Sequence, residues 1–146
     1  MALAVPSAAF AQKNDKPGNR EERSRWYKEM LQYKRDFMVK ELQLTDEQKA
    51  KFIPIYDKME SETEAINRQT RQMMRSVEKK GSEATDLEYE KAAEATFELK
   101  SKEGAIDTKY YNELKTVLTP RQMFKFKNAE NQFTRELMKH RKPHKK

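Results

Sequence analysis

With 146 residues and no cysteine, the chain is one domain or one subunit of an assembly; it has no disulfide framework, thiolate metal site or cysteine nucleophile. Charged residues make up 38% against only three glycines and five prolines, a balance that favours long helices with thin apolar seams over a thick core. The net charge of +7 is uneven: from Leu118 onward nine Lys+Arg meet two Asp+Glu, leaving 22 of each sign before it. The excess therefore belongs to the last helix and the tail, and with no DNA-binding motif beside it no nucleic-acid partner is expected.

Residues 1–11 (MALAVPSAAFA) are small and apolar, and Ala9-Phe10-Ala11 before Gln12 matches an A-x-A cleavage site, so a partial signal-peptide-like segment is expected there. It is too short to span a bilayer and no other segment approaches a transmembrane run, so no membrane anchor is expected. Residues 12–19 (QKNDKPGN) read as a disordered linker. A first helix is expected from Arg20 to Leu42, with Trp26, Met30, Tyr33 and Phe37 on one stripe and Tyr27, Leu31, Met38 and Leu42 widening it.

The second helix opens at Leu44-Thr45-Asp46-Glu47-Gln48. Its seam steps by fours and threes through Phe52, Tyr56, Met59, Thr63, Ile66, Thr70, Met73 and Val77, and stops near Gly81. Pro54 lies beyond its first turn, where a bend is expected. A third helix is expected over Asp86–Val117, with Ala92, Leu99, Ile106, Tyr110, Leu114 and Val117 inward, and with Gly104 marking a kink or a close helix contact. After Leu118-Thr119-Pro120-Arg121-Gln122 a fourth helix runs from Pro120 to about Lys139, with Met123, Phe126, Phe133 and Leu137 on one face. Residues 140–146 are expected to form a basic, disordered tail, and no strand or hairpin signal appears anywhere. The expected fold is all-α, with 20–139 as the helical domain.

The two five-residue runs share one signature, Leu-Thr-x-x-Gln, at Leu44, Thr45 and Gln48 and again at Leu118, Thr119 and Gln122. Thr followed three residues later by Gln is a capping box: the hydroxyl accepts from the N3 amide while the Gln side chain reaches back to the Thr amide. In the second copy Pro120 occupies N1, and Leu118 and Met123 fall at the hydrophobic-staple positions. One box marks a helix start; two, each between long helical patterns, describe a helix–box–helix unit used twice.

In these residues the chain resembles the Spy and CpxP family of periplasmic proteins, defined by two LTxxQ motifs on a four-helix chain, over about residues 20–139. The resemblance implies a thin, curved, cradle-like antiparallel homodimer. It also implies action as an ATP-independent chaperone, or as a periplasmic inhibitor of an envelope-stress sensor kinase. The run Phe52-Ile53-Pro54-Ile55-Tyr56 looks like a variant of some branches. Related members of the ZraP and CnrX type bind divalent metal, and here the chain departs from them. Its only histidines are His140 and His144, with Pro143 between, and no further His or Cys completes a ligand set. No metal site and no cofactor is expected.

Catalysis finds no support: there is no phosphate loop or nucleophile elbow. Glu103 and Glu130 stand where the seam calls for an apolar residue, a position in which a carboxylate commonly pairs with a nearby cation. Client-binding candidates come from two surfaces. Arg68, Arg71 and Arg75 share one face late in the second helix with Met74 beside them, whereas Met73 lies on the seam. On the fourth helix Arg121, Phe124, Lys125 and Lys127 mix an aromatic ring with cations. Adaptable Met and positive charge suit promiscuous holding of acidic, partly unfolded chains. The expected function is an ATP-independent periplasmic holding chaperone and not an enzyme. The alternative is a regulatory adaptor for a sensor kinase or anti-sigma partner, and less so a divalent-metal buffer.

Overall fold

The computed structural model describes residues 20–140, with the backbone alone at His140. The signal-like segment, the linker and the tail with His144 lie outside the described residues, as does the side chain of His140. The described residues form four α-helices and no strand: α1 (Arg20–Glu41), α2 (Asp46–Lys80), α3 (Asp86–Leu114) and α4 (Pro120–His140), with a 3₁₀ turn at Gly81–Glu83. The fold is all-α. None of these helices is long and apolar enough to cross a membrane.

Each helix boundary has a local cause. α1 ends in a Schellman turn: the Leu44 amide donates to the Val39 carbonyl at 3.0 Å and the Gln43 amide to that of Lys40 at 3.1 Å. Gln43 holds the left-handed conformation this turn requires, at φ 52°. α2 runs unbroken through Pro54 and ends on two lysines, which complement its dipole. Gly81 then takes φ +54°, which costs a glycine little. α3 ends at Leu114, short of the expected Val117. The amides of Thr116 and Val117 turn back to the carbonyls of Glu113 and Leu114, tightening the chain into i→i+3 bonds.

The chain divides into two compact units: residues up to Lys49 together with those from Thr119 on, and Ala50–Leu118. The two boxes split the sequence into halves, yet both threonine–glutamine pairs fall in the first unit. There α1 packs on α4. Phe37 and Phe133 meet edge-on at 5.4 Å, and Met38, Leu42, Phe126 and Ala129 are also buried. Trp26, Met30 and Tyr33, expected on the same stripe of α1, are only half-buried. Glu130, placed at a seam position by the sequence, accepts from Lys34 and Lys127, each at 3.4 Å.

The second unit is an antiparallel helical hairpin. Its cross-links keep register from end to end: Glu62 with Lys109 and Tyr110, Asn67 with Glu103, Met74 with Thr96, Lys80 with Glu88. The predicted seam of α2 is on its inner side throughout, but burial fades along it. Phe52, Tyr56 and Met59 are buried, while Thr63, Ile66, Thr70, Met73 and Val77 are half-buried. Opposite them, Leu99 and Ile106 are half-buried too, with Tyr110 and Leu114 buried beyond. Gly104 marks no close helix contact: it is exposed, and a Cβ there would meet nothing within 4 Å.

Candidate functional site

Both LTxxQ runs fold as reciprocal capping boxes. Gln48 N–H donates to Thr45 Oγ1 at 3.1 Å while Thr45 N–H donates to Gln48 Oε1 at 3.2 Å. The second copy repeats this, with Gln122 N–H to Thr119 Oγ1 at 3.2 Å and Thr119 N–H to Gln122 Oε1 at 2.9 Å. Two orphan amides at each helix start are thereby satisfied.

The glutamines then bind each other. Gln48 Nε2 donates to Gln122 Oε1 at 2.8 Å, and Gln122 Nε2 returns a bond to Gln48 Oε1 at 3.1 Å. Gln122 Nε2 also donates to the Leu42 carbonyl at 3.0 Å, one of the carbonyls that the end of α1 leaves without a helical partner. Each Oε1 thus accepts two donors, its full lone-pair capacity. The starts of α2 and α4 and the end of α1 are tied into one polar knot that joins Leu42 to Gln122, 80 residues apart.

This geometry gives each Gln a role that Glu, accepted at N3 of many boxes, could not fill. Two facing carboxylates would repel, and neither could donate; two primary amides are self-complementary. The chain contains its own control, a third box that the sequence reading passed over. Thr85 caps α3, with Glu88 N–H to Thr85 Oγ1 and Thr85 N–H to Glu88 Oε1, both at 3.1 Å. There the N3 residue meets a cation, Lys80 Nζ at 2.5 Å, and it is Glu. The Lys80 bond, followed by the Thr85 amide, holds the Glu88 carboxyl below the usual glutamate range. The signal Thr85-Asp86-Leu87-Glu88 was present in the sequence.

The client-binding candidates fall in both units. In the second unit Arg68, Arg71 and Arg75 are exposed, and Arg71 is tied to Glu64 at 2.7 Å. Met74 is 37% exposed and its sulfur accepts from the Thr96 hydroxyl at 3.3 Å, whereas Met73 is the more buried of the two. In the first unit Arg121 and Lys125 are exposed around Phe124, which is 88% exposed, and Lys127 pairs with Glu130. The sequence reading missed Phe97, also 88% exposed, and the exposed Leu87, Tyr89 and Tyr111. These sit off the seam of α3, and off-seam aromatics were the available signal.

Other chemistry is sparse. Glu62 accepts from Lys109 and from the hydroxyl of buried Tyr110, an arrangement that clamps α2 to α3. Asn67 donates to Glu103 at 3.3 Å. A surface recess of about 440 Å³ is lined by Arg20, Glu21, Ser24, Arg25 and Lys28, all of α1. Among the described residues no three His, Asp or Glu side chains cluster as metal ligands.

Comparison with curated proteins and with solved structures returned no match. A family model does match, over residues 11–126, most of the chain and both boxes. The protein therefore belongs to the family described as Domain of unknown function (DUF4890).

Proposed function

We propose that this protein is an ATP-independent holding chaperone of the Spy and CpxP type, acting in the periplasm as a homodimer. The observation that carries this reading is the pairing of exposed apolar side chains with exposed cations. Phe124 stands between Arg121 and Lys125, and Met74 lies beside Arg71 and Arg75. Such surfaces draw acidic, partly unfolded chains by charge and hold them by adaptable apolar contact, without one deep pocket. Two further features favour it. The paired LTxxQ boxes carry the family resemblance, and the half-buried seam over residues 63–106 is apolar surface that a second copy would cover.

The test is light scattering of several unrelated denatured clients with and without the purified protein, at low and high salt. The expected result is suppression of aggregation near stoichiometric ratio, weakened by salt. Combined Arg121→Gln, Phe124→Ser and Lys125→Gln substitutions reduce it without changing helicity. Failure to suppress any of several clients sinks the proposal and moves the regulatory adaptor into its place.

A further inference from the structure

We propose that the outer face of α4 docks the protein on an anionic lipid surface. Phe126, Ala129 and Phe133 are buried and define the inward side of this helix. Opposite them Phe124, Asn128, Asn131, Arg135 and Met138 follow one another in steps of four and three, every one exposed. Every cation of α4 is exposed. Its two acids, Glu130 and Glu136, are partly covered on the flanks, where each holds a lysine. The outer half of the helix therefore presents positive charge with no negative charge interleaved.

Two large apolar side chains mark the ends of this basic line. Phe124 is 88% exposed and Met138 65% exposed, roughly 21 Å apart along the axis. Neither position is required by the core. Such a face suits docking on the surface of an anionic bilayer: the cations meet the phosphates, and Phe124 and Met138 reach toward the acyl boundary at either end. Exposed cations along this line, with an apolar side chain at each end, complement the charge of an anionic headgroup layer. Docking goes beyond the holding activity, which is read on clients without lipid, so either can fail alone.

The experiment is co-sedimentation of the full chain with vesicles of phosphatidylcholine alone or mixed with phosphatidylglycerol, at low and high salt. Binding is expected only to the anionic vesicles and is weakened by salt. Arg121→Gln, Lys125→Gln and Arg135→Gln together lower the partition coefficient on the order of a hundredfold, at about fivefold per cation. Phe124→Ser alone lowers it about tenfold. A charge-matched control, Lys58→Gln, Lys91→Gln and Lys100→Gln, stays within about twofold of the parent. An equal loss in control and α4 variants overturns the proposal, since net charge alone would then govern binding. No binding to anionic vesicles overturns it as well. Retention on poly-glutamate without retention on vesicles does the same, and assigns the face to an acidic polypeptide.

Discussion

The far stretch of the hairpin, residues 63–106, and the α1–α4 unit use the same helical periodicity and reach different results. In the α1–α4 unit Phe37, Met38, Leu42, Phe126 and Phe133 are buried, and three chain segments are tied by the glutamine knot. In the hairpin the seam residues Ile66, Met73, Leu99 and Ile106 stay half-buried, and the helices are held by spaced polar links. Two helices alone cannot surround a seam, whatever its register. Period determines which side chains face inward; the number of elements around them determines how much water they lose.

Core truncation separates the regions most strongly. Phe133→Ala removes a buried ring in edge contact with Phe37 and is expected to cost about 3–5 kcal/mol. Ile66→Ala removes a half-buried side chain and should cost about 1–2 kcal/mol, because little transfer energy and no closed cavity are involved. Denaturant titration of both variants checks this. Equal costs would mean that the hairpin seam is covered in solution, as a second copy would cover it. The Ile66→Ala cost would then depend on protein concentration.

The knot ranks next. Gln122→Glu keeps the box oxygen but removes the donors to Gln48 and to the Leu42 carbonyl. A loss of about 1–3 kcal/mol is expected at neutral pH. Gln48→Glu costs less, as it leaves the Leu42 bond in place. The double variant costs more than the two singles added, since two carboxylates then face each other, and a double-mutant cycle reads that excess. Strict additivity would show that the glutamines act only as separate helix caps.

Much of this was legible in the residues. The steps of four and three from Phe52 to Val77 name the inward face of α2 correctly at every position, because period alone selects a face. Both boxes follow from Thr and Gln three apart. That they meet does not follow, since local spacing says nothing of a partner 74 residues away. The one hint is Gln at N3 in both boxes where Thr85 is followed by Glu88. The fading burial along α2 was not legible either, because it depends on which elements surround the seam. The same holds for Gly104. Its interruption of an apolar pattern is visible, but only the structure shows open space rather than a neighbouring helix.

That open space gives a substitution in the opposite direction. Gly104 lies within α3 with helical backbone, and an added Cβ meets no atom within 4 Å. Gly104→Ala should stabilise by about 0.5–1 kcal/mol, chiefly by restricting the unfolded chain. Gly81→Ala serves as the contrast, since its φ of +54° strains any side chain and the change should destabilise. A destabilised Gly104→Ala would reveal a contact on that face of α3, most simply from a second copy.

The smallest effect concerns the third box, where charge replaces the amide pair. Lys80 first, and then the Thr85 amide, hold the Glu88 carboxyl below its ordinary value. A carboxyl that is more acidic folded than unfolded stabilises the folded form fully above its unfolded pKa. That contribution is lost as pH falls through the lower, folded pKa. Acidification below the ordinary glutamate range should therefore loosen the Lys80–Glu88 turn, while the glutamine knot, having no titrating group, is unaffected. The effect is modest because the pair lies at the surface, and salt weakens it further. Carboxyl-carbon NMR of Glu88 against pH measures it directly. A midpoint at or above that of ordinary glutamates would remove the ion pair from the box and leave Thr85 capping α3 alone. A low midpoint that rises with salt would show that, at N3, the choice between Glu and Gln is set by what the residue has to meet.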